Sequence, residues 1–176
     1  MNIIAFSGSL RKDSYNTALI RAAKHLAPDG MDISIADISS LPLYNQDLET
    51  EFPAEATALK EAVETADGII IATPEFNRSL SGVLKNALDW LSRPWGKNSL
   101  AGKHVLALGA SPSAIGTALA QAHLKQILLF LDARVIGQPE FYLNHAEQKF
   151  SDDGTLTDED TKNMLIAALS ELAARI

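Results

Sequence analysis

Ile69-Ile70-Ile71-Ala72 is an aliphatic run too short for a helix and without a polar face. A strand of this kind must be covered by protein on both sides, as parallel strands in α/β proteins are. Ile3–Phe6 and Val105–Leu108 have the same character, and Ala133–Ile136 is a shorter version. Met31, Ile33 and Ile35 instead alternate with polar residues, which suits a strand near a sheet edge. Between these runs, apolar residues recur at helical spacing: Leu19, Ala22, Ala23 and Leu26, then Ala56, Leu59, Val63 and Ala66. The pattern returns at Val83, Leu84, Ala87, Leu88 and Leu91, stopped by Pro94, and again over Thr117–Leu131. A last helix carries Met164, Leu165, Ala168, Leu169 and Leu172, and Thr157-Asp158-Glu159-Asp160 before it has the form of a capping box.

Five strands alternating with five helices predict one parallel sheet covered on both faces, a three-layer α/β/α architecture. The flavodoxin-like order 2-1-3-4-5 puts the alternating second strand on an edge and the all-apolar strands inside. The 176 residues suit one domain over 1–176, with no internal repeat.

Composition removes several classes of function. With 15 basic and 22 acidic side chains, the net charge is −7, so no global positive field draws a nucleic acid. There is no cysteine, hence no disulfide, thiolate nucleophile or sulfur-ligated metal. His25, His104, His123 and His145 are scattered without metal-ligand spacing. The first residues do not form a basic segment ahead of a long apolar one, and Ile127–Leu131 is far short of a membrane span. The reading is a soluble, cytoplasmic protein without a membrane partner.

In the 2-1-3-4-5 order, ligands bind beyond the C-terminal ends of strands 1 and 3, where the connections diverge to opposite faces. The loops leaving those strands are Ser7–Asn16 and Thr73–Ser81. The first runs Ser7-Gly8-Ser9-Leu10-Arg11-Lys12-Asp13-Ser14-Tyr15-Asn16 into a helix, whose free N–H groups and positive dipole end suit a phosphate. Ser9, Ser14 and Asn16 add side-chain donors, and Arg11 adds a planar fork. The same serines and Asn16 would also serve as a helix cap and turn formers. In Thr73-Pro74-Glu75-Phe76-Asn77-Arg78-Ser79, the amides of Glu75, Phe76 and Asn77 are predicted to face the cleft, with Phe76 as the apolar wall a flat heteroaromatic ring needs. A turn capped by Ser79 or Ser81 is the plainer alternative. The third loop, Gly109–Gly116, carries Ser111, but Gly-x-Ser-x-Ser is not a nucleophile elbow and no histidine is placed to act as base.

Gly8-Ser9-Leu10-Arg11-Lys12-x-Ser14-x-Asn16, Thr73-Pro74-Glu75-Phe76-Asn77 and Ser81-Gly82-Val83-Leu84-Lys85-Asn86-Ala87-Leu88-Asp89-Trp90-Leu91-Ser92-Arg93 resemble the signatures of the NAD(P)H-dependent FMN reductases. The branch with bacterial quinone, chromate and azo-dye reductases is the most similar. The resemblance implies a flavodoxin-like fold and FMN as cofactor, its phosphate on Ser9, Leu10, Arg11, Ser14, Tyr15 and Asn16. It implies an isoalloxazine held by Pro74, Glu75, Phe76, Asn77 and Arg78, with Ser111 facing it. NADPH or NADH would donate hydride, and a quinone-like, azo or other small acceptor would receive it in ping-pong fashion. No side chain is assigned as catalytic, because the flavin carries the redox chemistry. A homodimer or homotetramer is also implied, and the apolar excess of Leu124, Ile127, Leu128, Phe130 and Leu131 fits burial in a subunit interface. Phe76 and Arg78 stand where relatives carry tyrosine, and Gly116-Thr117-Ala118-Leu119 replaces Gly-Gly-Ala-Arg. The alternative activity is that of a flavodoxin-type electron carrier, which does not itself oxidise NAD(P)H.

Overall fold

Ile3 to Phe6 lie within β1 (Asn2–Ser7), and the isoleucine run forms β3 (Gly68–Ala72). The computed structural model describes residues 1–176. The remaining strands are β2 (Asp32–Ile35), β4 (His104–Ala110), β5 (Arg134–Val135) and β6 (Tyr142–Leu143). The helices are α1 (Tyr15–His25), α2 (Ala54–Thr65), α3 (Gly82–Leu91), α4 (Ala118–Phe130) and α5 (Glu159–Ala173). The sheet is parallel in the order β2-β1-β3-β4-β5, as the alternation of elements predicts.

Successive strand residues point to opposite faces and feed two cores. Ile3, Ala5, Ile70, Ala72, Leu106 and Leu108 pack under α1 and α5, whereas Ile4, Phe6, Ile69, Ile71, Val105 and Ala107 pack under α2, α3 and α4. Ile69, Ile70 and Ile71 are fully buried. Each such side chain contributes about 1.5–3 kcal/mol of transfer free energy, which is why a polar face is absent from this strand.

Two details differ from expectation, the last strand and the cap of α5. The last strand is interrupted: β5 covers only Arg134–Val135 beside the start of β4, and β6 pairs with Gly109 and Ala110 at its end. The intervening segment buries Ile136 and Phe141, so the sheet edge is closed by packing where the ladder stops. The N-cap of α5 is Asp158, not Thr157. Its carboxylate accepts from Thr161 N and Oγ1 and from Lys149 Nζ, and the Thr161 hydroxyl, first among these partners, helps hold its pKa down to about 2. Trp90 packs inside the monomer: its Nε1 donates to Pro42 O, and its ring meets Tyr44 and Phe52 edge-on. Asn86, on the same helix, accepts from Tyr44 N and donates to Pro42 O. Thus α3 fastens the long 37–53 loop rather than presenting Asn86 to solvent. Lys85 and Asp89 do form a surface pair at 2.7 Å.

Candidate functional site

β1 and β3 are neighbours, with Ser7 in register with Ala72, but their connections leave for opposite faces of the sheet. A crevice results at their C-terminal ends, and it is bounded by residues 8–14, residues 73–81 and the segment after β4. Backbone bonds draw these walls together: Gly8 N donates to Ala72 O, and Thr73 N to Leu108 O. Ser81 caps α3 by accepting from Leu84 N and donates to Gly8 O, so one hydroxyl joins the first loop to the second. Glycine suits position 8, because a Cβ there would lie 3.0 Å from Leu84 Cβ and 3.1 Å from Ser81 Oγ and would push on both.

The first loop is a row of unspent donors. From Leu10 to Asn16 no backbone N–H donates to a protein atom. Ser14 caps α1 by accepting from Thr17 N, which leaves its own proton free. Ser9 Oγ has no protein partner, and Arg11 is exposed and makes no ion pair. The Arg11 guanidinium instead lies over the Tyr15 ring, 5.3 Å from its centroid, and Tyr15 stacks on Phe150 at 5.7 Å. Free amides at a helix N-terminus with a planar cation beside them match a phosphate monoester in charge and donor count. The donor set therefore fits the phosphate of FMN.

Asn16 departs from expectation. Its side chain is buried, with Nδ2 donating to Ala110 O at 3.0 Å and Oδ1 accepting from Ala110 N at 2.9 Å. Both ends are consumed in tying α1 to the end of β4. Asn16 offers an anion its backbone N–H and not its amide side chain.

The second loop is a tight hairpin. Phe76 N donates to Ser79 O and Ser79 N to Phe76 O, with Asn77 and Arg78 at φ 51° and 63°. Two successive left-handed residues define a type I′ turn, which asparagine tolerates and arginine does not favour. The Phe76 amide is thus spent inside the hairpin; those of Glu75 and Asn77 remain without a protein acceptor. The Phe76 ring stands 57% exposed, an apolar wall without a cover. The Glu75 side chain has a separate job from its amide. Its carboxylate accepts from Leu119 N and Ala120 N, capping α4, and from Arg78 Nη1 at 3.2 Å. Thr117, at the N-cap position, makes no side-chain cap, so the cap of α4 comes from another loop. Pro74 is buried where β3 ends.

Ser111 sits at the third wall: its N–H donates to Leu143 O and its hydroxyl to Ser113 Oγ. Gly109, beneath it, has no room for a side chain, since a Cβ would overlap Thr117 Oγ1 and approach Thr73 O to 2.7 Å. A cavity of about 1220 Å³ lies not over the first loop but between α3 and α4, reaching the hairpin at Ser79 and Leu80. Sequence reasoning did not find this groove, Ser81's bridging role or Phe150, whose partners all lie far along the chain.

These features define a protein of the flavodoxin-like class, with unpaired donors and an exposed aromatic ring at the switch of the sheet. A sequence profile described as NADPH-dependent FMN reductase matches residues 1–148, and the chain belongs to that family. A 2-hydroxy-1,4-benzoquinone reductase of a Burkholderia species is 45% identical over 174 residues, covering 99% of this chain and 95% of that protein. An NAD(P)H-dependent FMN reductase of Pseudomonas aeruginosa is 42% identical, covering 98% and 93%. The structure of FerB, a flavoenzyme NAD(P)H:(acceptor) oxidoreductase of Paracoccus denitrificans, superposes with a TM-score of 0.91 at 38% identity, covering 98% of this chain and 95% of that one. Membership makes the protein an oxidoreductase with FMN and NAD(P)H as its cofactors.

Proposed function

We propose that this chain carries electrons from NAD(P)H to quinone-type acceptors through FMN held in the crevice between β1 and β3. The observation that carries the reading is the unbroken row of unpaired amides from Leu10 to Asn16 at the start of α1. Those amides, with Ser9, Ser14 and Arg11, would hold the phosphate. Pro74, Phe76 and the free amides of Glu75 and Asn77 would hold the isoalloxazine, with Arg78 at the hairpin tip and Ser111 opposite. Tyr15 would act through Arg11, whose guanidinium its ring supports. Bound there, FMN supplies the two-electron redox chemistry. Glu75, by capping α4 while its loop carries the ring-binding amides, keeps those amides preorganised.

The test is titration of the FMN-free protein with FMN, then anaerobic addition of NADPH or NADH and, last, a quinone. Bleaching of the flavin band by nucleotide and recovery on adding the quinone is the expected result. Failure to bind FMN refutes the reading. A flavin that binds but stays oxidised under NADPH and NADH selects the flavodoxin-type carrier.

The same reading includes a homodimer. Trp95 and Phe130, at one end of the α3–α4 groove, are 80% and 77% exposed. Large apolar side chains beside a groove bigger than one small ligand fills are what a second copy would cover. Light scattering should give about twice 18.9 kDa, and Phe130→Glu should return it to 18.9 kDa; a parent protein already at 18.9 kDa overturns the dimer.

A further inference from the structure

Both α3 and α4 follow strands of the parallel sheet, so their N-terminal ends lie on the crevice side. The groove between them therefore has its mouth beside the 76–79 hairpin and its far end at Trp95, Phe130 and Leu131. At the mouth, Ser79 Oγ lies 3.0 Å from His123 Nδ1. The hydroxyl has no other side-chain partner; when it donates to Nδ1, the ring proton of His123 lies on Nε2. Gln126 is one turn further along the same helix, and its amide makes no hydrogen bond within the protein.

Other polar groups lining the groove are already committed. Lys85 Nζ bonds both oxygens of Asp89, Ser92 Oγ donates to Asp89 O, and Asn98 uses both ends of its amide on Leu131 O and Leu100 N. Arg93 lies over the rings of Tyr44 and Trp95. With Lys85 neutralised, the mouth has no unpaired cation that would select an anion. Leu80, Leu88 and Ile127 supply apolar walls, and no atom lies within 4 Å of where a Gly82 side chain would begin. Residues three apart on a helix sit about 5–6 Å from one another at Cβ. A flat, uncharged molecule carrying two hydrogen-bond acceptors across a ring matches two donors at that spacing between apolar walls.

We propose that His123 and Gln126 dock the electron acceptor, each donating a hydrogen bond to one carbonyl oxygen of a 1,4-quinone seated in the mouth of the groove. Ser79 is the positioning residue: its hydroxyl, donating to Nδ1, would hold the His123 proton on Nε2, toward the quinone. The proposal deepens the quinone-reductase reading and rests on it.

The test is binding without turnover. Equilibrium dialysis of the oxidised, FMN-loaded protein against duroquinone, with no nicotinamide present, is compared with dialysis against durene, which has the same methylated ring and no carbonyls. His123→Ala and Gln126→Ala should each weaken duroquinone binding by about three- to tenfold, the loss expected for one neutral hydrogen bond. Durene binding and the FMN dissociation constant should not move. His123→Gln, which keeps an N–H donor, should recover most of the affinity. In steady state the variants should raise KM for the quinone and leave kcat/KM for the nicotinamide nucleotide unchanged. Unchanged duroquinone affinity in the double variant, or equal losses for durene and duroquinone, overturns the proposal. The dialysis is repeated on FMN-free protein, so failure to bind FMN counts against the first reading and still leaves the docking pair decided.

Discussion

Replacing Asn16 by alanine separates a phosphate ligand from a structural tie. In the structure its amide pairs with both the N–H and the C=O of Ala110, at 2.9 and 3.0 Å, in a buried site. Alanine leaves two buried backbone groups without partners, and each costs about 1–3 kcal/mol. The better helix propensity of alanine returns at most about 0.7 kcal/mol. Water entering the vacated space would lower the penalty without removing it, because ordering that water and rebuilding both bonds is itself unfavourable. The net loss is therefore about 2–5 kcal/mol. For a chain of this size, at roughly 2–4 °C per kcal/mol, the midpoint of thermal unfolding should fall by roughly 4–20 °C. The measurement belongs on FMN-free protein, where ligand binding does not contribute to stability. Asn16→Asp should be worse than alanine at neutral pH, since a carboxylate oxygen then faces the Ala110 carbonyl. It should recover in acid, where a protonated carboxyl donates to that carbonyl. If Asn16→Ala unfolds within about 0.5 kcal/mol of the parent while FMN affinity drops at least tenfold, the side chain is a phosphate ligand and the tie to β4 carries nothing.

The remaining expectations concern the supports of the same site. Glu75→Ala removes the cap of α4, which costs about 1–2 kcal/mol, and the amides of Leu119 and Ala120 should exchange hydrogen faster than those in the middle of the helix. Phe150→Ala removes the ring under Tyr15 and so loosens Arg11 without touching a ligand; FMN affinity should fall by severalfold, less than in Arg11→Ala, where losing a charged hydrogen bond of about 1.5–3 kcal/mol predicts roughly ten- to a hundredfold. Asp158 has a folded pKa of about 2, below its usual 3.8, so the stability it contributes is complete above 3.8 and disappears as the pH falls through about 2. Acid unfolding of Asp158→Asn, followed by circular dichroism, should lack that part of the pH dependence.

What the sequence made legible follows from the range of the interactions involved. Ile69–Ile71 reports its own burial, because no neighbour is needed to make an aliphatic run incompatible with water. The sheet order follows from that and from the alternating β2, and the Ser9–Asn16 loop announces free donors because polar residues crowd one strand-to-helix turn. The roles within the loops are another matter. Asn16 and Ala110 are 94 positions apart, and Glu75 and Leu119 are 44 apart; a polar residue in a polar loop looks the same whether its partner is a ligand or a distant amide. The strand β6 was hidden because two residues carry no periodicity, and the role of Phe150 because the Tyr15 ring it stacks on lies at the other end of the chain. These hidden contacts share a consequence. Ser81 joins the first loop to the second, Asn16 joins α1 to β4, and Glu75 joins the second loop to α4. Each removes a polar side chain from the pool of direct ligands and spends it on fixing the backbone. On the proposed reading, the anion and the ring would be left chiefly to main-chain N–H groups, whose positions follow the sheet and whose presence does not depend on side-chain identity. Tyrosine's replacement by Phe76 or by Arg78 would then alter what is recognised at the rim and leave the proposed phosphate cradle unaffected.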